Sequence, residues 1–269
     1  MKSVIFFGSS NTFGVGLHTF RDWYLSNDVI KNCPWPYRQT SEDNEFIKSV
    51  RWTNNVSKYI NRNEINVAEA GGSPAESLYR LQNMDLTDID YIFFEFSGIY
   101  NYFDRYFHND EYPKTPHEIE AFLTNGKKDR PELKERIMNW LEKYNPNEFI
   151  DEVLILLKEK IENLNDKKFI ILFWHGPEHN NGRNIIDFNS QKYEWLKKYM
   201  IKFPTKSDPD NYIVHNLIKE KKLTVSDEHP LSHLMHEDIH AGIEGNQIVS
   251  EIIINYKNER TFYTTIFLY

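Results

Sequence analysis

Four short apolar runs, at residues 4–7, 65–68, 91–96 and 169–174, alternate with longer segments of helical spacing. This alternation is the feature that most constrains the fold. Each run has strand length, and the last is bounded by Lys167-Lys168 and Gly176-Pro177. Residues 49–60, 75–82 and 148–164 carry apolar side chains at helical intervals, with Ile155, Ile161 and Leu164 set among acids and lysines in the third. Strand–helix–strand repeats imply right-handed crossovers between parallel strands. The expectation is therefore an α/β chain: a three-layer α/β/α sandwich around a central parallel sheet. A weaker run at 222–225 raises the strand count to about five, and the β-prone tail at 261–268 is expected as an edge strand or as a surface packed on a partner.

Size and charge narrow the function classes. A chain of 269 residues with 40% hydrophobic and 15% aromatic content can bury the core of one enzyme-sized domain. A net charge of −8 without a polybasic run argues against nucleic acid and anionic membrane surfaces as partners. The single Cys33 excludes an internal disulfide and suits a reducing compartment. Met1-Lys2 leads straight into the first strand without a leader-like apolar region, and no stretch approaches the ~20 apolar residues of a membrane span. These features lead to the expectation of a cytoplasmic protein.

Three polar segments sit where chemistry can be done. Gly8-Ser9-Ser10-Asn11-Thr12-Phe13-Gly14 follows directly on the first strand. In open α/β sheets the crevice outside the strands' carboxyl ends is where ligands bind. A serine there is a nucleophile if a base reaches it. Near the other end of the chain, Asp238 stands two residues before His240, and a Gly-rich turn then leads into a periodic apolar stretch. An imidazole to take the hydroxyl proton, with a carboxylate to fix its tautomer, is what serine catalysis requires. Between them, Asn66-Val67-Ala68-Glu69-Ala70-Gly71-Gly72-Ser73 ends a strand in two glycines, whose amides can face a developing oxyanion.

Together these segments resemble the SGNH (GDSL-type) hydrolase family. Its pattern Gly-Asp-Ser-x-x-x-Gly is matched by Gly8, Ser10 and Gly14, with Ser9 in place of the aspartate. Asn66, Ala68, Gly71 and Ser73 match its second block, and Asp238, His240, Gly242 and Gly245 its last. The resemblance spans nearly the whole chain and implies one domain over 1–269 with the flavodoxin-like fold of that family. It implies a serine esterase with Ser10 as nucleophile, His240 as base and Asp238 as its orienting acid, Glu237 being the alternative. The amides of Ser10 and Gly71 would form the oxyanion hole, with Asn101, Ser97 or a backbone amide completing it. Gly98 and Asn101 stand one residue further apart than the family's third block asks. No metal or organic cofactor is implied. The implied substrates are small-molecule or carbohydrate esters, either O-acetyl groups on sugars or short acyl esters, with acyl transfer to a sugar a further option. Oligomeric state is left open.

Residues 100–146 exceed what a minimal sheet needs, and hold Tyr100, Tyr102, Phe103, Tyr106, Phe107 and Tyr112. Leu133, Ile137, Trp140 and Leu141 give 131–144 a helical pattern. The aromatics either pack that helix on the core or line the substrate site, with Tyr100, Tyr102 and Phe103 the candidate contacts. A second insertion at 176–204 can reach the same mouth. Two other functions fit parts of the chain. His236-Glu237-Asp238-Ile239-His240 satisfies the zinc hydrolase pattern His-Glu-x-x-His, which needs both histidines on one helical face and a third ligand, for which Glu251 is placed. A non-catalytic carbohydrate-binding module on the same fold is the other.

Overall fold

The first apolar run becomes strand β1 (Ser3–Phe7), buried along its whole length. It pairs in parallel with β2 (Asn63–Asn66) on one side and β3 (Ile89–Phe96) on the other, and β3 pairs in parallel with β4 (Lys168–Phe173). The strand order is β2-β1-β3-β4. The computed structural model describes residues 2–15, 17–21, 41–68, 74–96, 146–164, 167–174, 190–230 and 239–266. In chain order its helices are α1 (Ser10–Phe13), α2 (Ser41–Val50), α3 (Trp52–Tyr59), α4 (Pro74–Asn83), α5 (Pro146–Glu162), α6 (Val214–Lys221), α7 (Val225–Glu228) and α8 (Ile243–Ile266).

Side chains alternate across the sheet and so build two cores. Val4, Phe6, Tyr91, Phe93 and Leu172 pack with Trp52 and Val56 of α3, Leu217 of α6 and Val249 and Ile253 of α8. Ile5, Phe7, Ile92, Phe94, Phe96 and Ile171 pack on the opposite face with Leu78 and Leu81 of α4 and Val153 and Leu157 of α5. The result is the three-layer α/β/α arrangement. Covering both faces explains why β1 and β3 read as nearly unbroken apolar runs rather than alternating ones. Aromatic contacts tie the layers together: Phe6 stacks on Phe93 with ring centroids 4.9 Å apart and meets the edge of Trp52 at 5.2 Å.

The chain runs from β1 outward to β2, then returns past β1 to β3 and β4. Between β1 and β3 the order reverses, and their carboxyl ends open a crevice at this switch point. Ser10 follows β1 directly, and Glu95 is the penultimate residue of β3.

Several sequence expectations are corrected. The helix expected over 49–60 is two helices, α2 and α3, parted at Arg51, whose backbone is extended. Here Asn246 Oδ1 accepts the Trp52 N–H at 3.0 Å, and Arg51 pairs with Glu64 at 3.0 Å. Residues 222–225 are not a fifth strand. Lys222 adopts the left-handed conformation (φ 56°) that ends α6, and Thr224 with Asp227 forms the capping box that starts α7. No strand length is left between those two signals. The outer edge of β4 instead meets Met200 and Ile213 through single parallel bridges, so the sheet has four strands among the described residues. The β-prone tail is helical as far as Ile266. Once started at Ile243, a helix gains one hydrogen bond per added residue, and this outweighs the modest, context-dependent strand preference of Thr, Phe and Tyr. The segment expected as an aromatic insertion lies, up to residue 145, outside the described residues. No helix of the described residues is long and apolar enough to cross a membrane.

Trp52 of α3, fully buried against the sheet, is one of two tryptophans in its core, the other being Trp174. Trp52→Ala should cost about 3–5 kcal/mol in denaturant unfolding. Tyr79→Ala, at a side chain 61% exposed, should stay within about 0.5 kcal/mol.

Candidate active site

The turn that leaves β1 is shaped by a carboxyl group from the neighbouring strand. Ser9 occupies the cap position of α1, yet its side chain makes no capping bond to the helix. Glu95 does this instead. Its Oε2 accepts the amides of Ser9 and Thr12 at 3.2 and 3.1 Å, and its Oε1 accepts the Ser9 hydroxyl at 2.5 Å. The Thr12 hydroxyl also donates to Oε2. Burial pushes the Glu95 carboxyl above the usual range, and the Ser9 and Thr12 donors pull it back. Gly8 is required beside it, because a Cβ there would lie 2.5 Å from Glu95 Oε2. At the far end of α1, Gly14 takes the left-handed conformation (φ 96°) and its N–H returns to the Ser10 carbonyl at 2.8 Å.

Asn66, the last residue of β2, fixes the same turn from the other side. Its Nδ2 donates to the Thr12 carbonyl at 2.9 Å and to Thr53 Oγ1 at 3.3 Å, while its Oδ1 accepts the Ala68 amide at 3.0 Å.

His240 arrives from the opposite end of the chain. Its Nε2 lies 2.8 Å from Ser10 Oγ, across 230 residues of sequence. In the tautomer whose Nε2 accepts the hydroxyl, Nδ1 carries the ring proton. The loop bearing His240 is held at several points. Its carbonyl accepts the Val225 amide at 2.7 Å, Ala241 bridges Thr224, and the Gly242 amide donates to Leu223 O at 2.9 Å. Glu228 then caps α8 by accepting the amides of Glu244 and Gly245, both at 2.9 Å. Desolvation raises the Glu228 carboxyl against those bonds. A Cβ on Gly242 would fall 2.3 Å from Glu228 Cδ and displace the capping carboxyl group. Buried Asn246 completes the clamp: its Nδ2 donates to the carbonyls of Ala241 and Gly242 at 3.0 and 2.9 Å.

Ser10 and His240 are thus brought together. Gly71, Asn101, Tyr100, Tyr102, Phe103, Ser97, Asp238, Glu237 and His236 lie outside the described residues. For the zinc pattern, Ile239 to Gly242 are not helical and α8 starts only at Ile243. His240 therefore does not stand on the helical face that the pattern demands. Three residues of the site were not singled out from sequence: Glu95, Glu228 and Asn246. Glu95 did leave a trace, as the lone acid inside the apolar run Tyr91-Ile92-Phe93-Phe94-Glu95-Phe96. Glu228, the last residue of α7, and Asn246, in the first turn of α8, are ordinary polar helix residues and leave none.

The chain matches no protein-family model and no curated protein. Among solved structures it is similar to a member of the lipolytic G-D-S-L family from Veillonella parvula, at 11% identity and TM-score 0.41, over 94% of this chain and 96% of that one. It is similar to a carbohydrate esterase, described as having an active site with divergent catalytic and non-catalytic binding functions, at 10% identity and TM-score 0.41, over 96% of this chain and 65% of that one. A third, LAE5, an alpha/beta hydrolase from the metagenome of Lake Arreo in Spain, gives 11% identity and TM-score 0.39, over 94% of each chain. Likenesses this distant assign no chemistry, which rests on the residues themselves.

Asn246→Ala strands the buried Trp52 amide and two loop carbonyls. It should cost about 1–3 kcal/mol and speed amide hydrogen exchange at Val225 and Gly242. Gln247→Ala, on the exposed side of the same turn, should leave both unchanged.

Proposed function

We propose that the protein is a serine hydrolase that cleaves esters by acyl transfer through Ser10. The observation that carries this reading is the 2.8 Å contact between Ser10 Oγ and His240 Nε2 at the switch-point crevice. It is the distance at which an imidazole accepts a hydroxyl proton. The agreement of the three sequence blocks with the SGNH pattern supports it.

In the proposed reaction Ser10 Oγ attacks the ester carbonyl carbon while its proton passes to His240 Nε2. Negative charge gathers on the carbonyl oxygen, where the amides of Ser10 and Gly71 and the side chain of Asn101 receive it. The loss of one such donor costs on the order of 10²–10³ in turnover. The carbon–oxygen bond to the alcohol then breaks, and His240 returns the proton to the departing oxygen. Water, deprotonated by His240, attacks the acyl-serine; the bond to Ser10 Oγ breaks, the acid leaves, and His240 returns the proton to Ser10 Oγ. Asp238 holds His240 in the required tautomer, its short side chain and its place two residues upstream favouring it over Glu237. No step calls for a metal or organic cofactor. Carbohydrate O-acetyl esters or other short acyl esters are the proposed substrates, with Tyr100, Tyr102 and Phe103 as the contacts that set chain length.

A panel of p-nitrophenyl esters of rising chain length tests this. Wild type should hydrolyse the acetyl ester fastest, and Ser10→Ala should lose at least about 10³-fold. Asp238→Asn should lose about 10⁴-fold, as removal of a tautomer-fixing carboxylate does in serine proteases, while Glu237→Gln stays near wild type and chelators have no effect. Equal rates for wild type and Ser10→Ala would overturn the assignment. Inactivity of wild type together with saturable binding of an acetylated sugar would favour a binding module.

A further inference from the structure

Glu95 is a buried carboxyl that the proposed ester chemistry does not consume. It is 1% exposed and lies in β3, one residue from the carboxyl end, between the buried Phe94 and Phe96. An apolar residue of similar volume would fill this place without the penalty of stripping water from a carboxyl group. The donors that Glu95 receives belong to a single turn: the amides and hydroxyls of Ser9 and Thr12, the residue before Ser10 and the residue two beyond it. They bracket Ser10 on both sides. The carboxyl group also fills the space that a side chain at position 8 would need. Where the family pattern has an aspartate, this chain has Ser9, and the Ser9 hydroxyl rests 2.5 Å from Glu95 Oε1. The Ser9 hydroxyl thus meets a carboxyl group supplied by the adjacent strand.

We infer that Glu95 is a positioning residue: it holds the Ser9–Thr12 turn so that Ser10 Oγ stays within hydrogen-bonding distance of His240 Nε2. The inference rests on the reading of Ser10 as nucleophile only for its kinetic consequence; the geometric consequence stands alone. A displacement of a reacting atom by 1 Å can cost about 100-fold in rate, so the effect is large. Glutamine can take over the task. Its carbonyl oxygen can accept both amides and the Thr12 hydroxyl, while its NH₂ donates to Ser9 Oγ after that hydroxyl turns round. Methionine has similar volume but offers no comparable acceptor.

The test compares Glu95→Gln, Glu95→Met and Ser10→Ala with wild type through two readouts. One is the rate at which a fluorophosphonate labels Ser10. The other is the His240 ring ¹H–¹⁵N NMR signal at fixed pH, which senses the Ser10 hydroxyl without any reaction. Glu95→Gln should label within about fivefold of wild type and keep the wild-type ring signal. Glu95→Met should label at least about 100-fold more slowly, with its ring signal moved to that of Ser10→Ala. A folded Glu95→Met that labels at the wild-type rate and keeps the wild-type ring signal would overturn the proposal. If Glu95→Met fails to fold, the double variant Ser9→Ala, Thr12→Val withdraws both hydroxyl donors. It should label about tenfold more slowly, and unchanged labelling and ring signal would likewise overturn the proposal. If wild type itself resists labelling, the ester reading falls and the ring signal alone decides the role of Glu95.

Discussion

The parallel pairing of β1 with β3 is the constraint on which the rest depends. Phe6 lies opposite Phe93 and Phe7 opposite Phe94, deep between two helical layers. This register brings the end of β1 level with Glu95, so the first turn after the strand meets a carboxyl group instead of solvent. A shift of one residue would turn Glu95 toward the opposite core, where Leu78, Leu81 and Leu157 offer no donor side chains. The hydrophobic packing of the sheet therefore sets the polar geometry at its edge.

Ser10 and His240 are each held by the same device, a carboxyl group from a distant segment accepting the amides of a helix's first turn. Glu95 serves α1 and Glu228 serves α8. Both carboxyls fill the space beside a glycine, Gly8 in one case and Gly242 in the other. These glycines are therefore needed for close approach and not for an unusual backbone conformation. Asn66 and Asn246 perform the complementary task, binding the backbone of one element to that of another. The turns at the crevice are tied by long-range bonds to rigid strands and helices, the arrangement that fixes reacting atoms most closely.

Much of this was legible in the sequence, and the reasons differ by element. β1, β3 and β4 were readable because burial on both faces leaves continuous apolar runs, whereas β2 is a polar edge strand, Asn63–Asn66, that begins two residues before the apolar run 65–68. Ser10 and His240 were readable because each follows or precedes a periodic segment at a loop dense in small residues. The break at Arg51 was not, because it depends on Asn246, nearly two hundred residues away. The span 222–225 misled because its residues are strand-like in composition while the controlling signals are a left-handed Lys222 and the Thr224–Asp227 cap. Glu95 was visible as an anomaly, a charge in an apolar strand, but its partners lie more than eighty residues upstream. Local patterns report local causes: the break at Arg51 is governed by a contact distant in the chain, the span 222–225 by caps, and the tail by continuation of α8.

The central claim is that Ser10 carries the acyl group. Rapid quenching of wild type with p-nitrophenyl acetate, followed by mass spectrometry of the N-terminal peptide, measures this directly. The account predicts that one acetyl group appears on Ser10 within the first turnover, and that His240→Ala acquires it far more slowly. Turnover with no adduct at Ser10, or an adduct formed equally fast without His240, would contradict it.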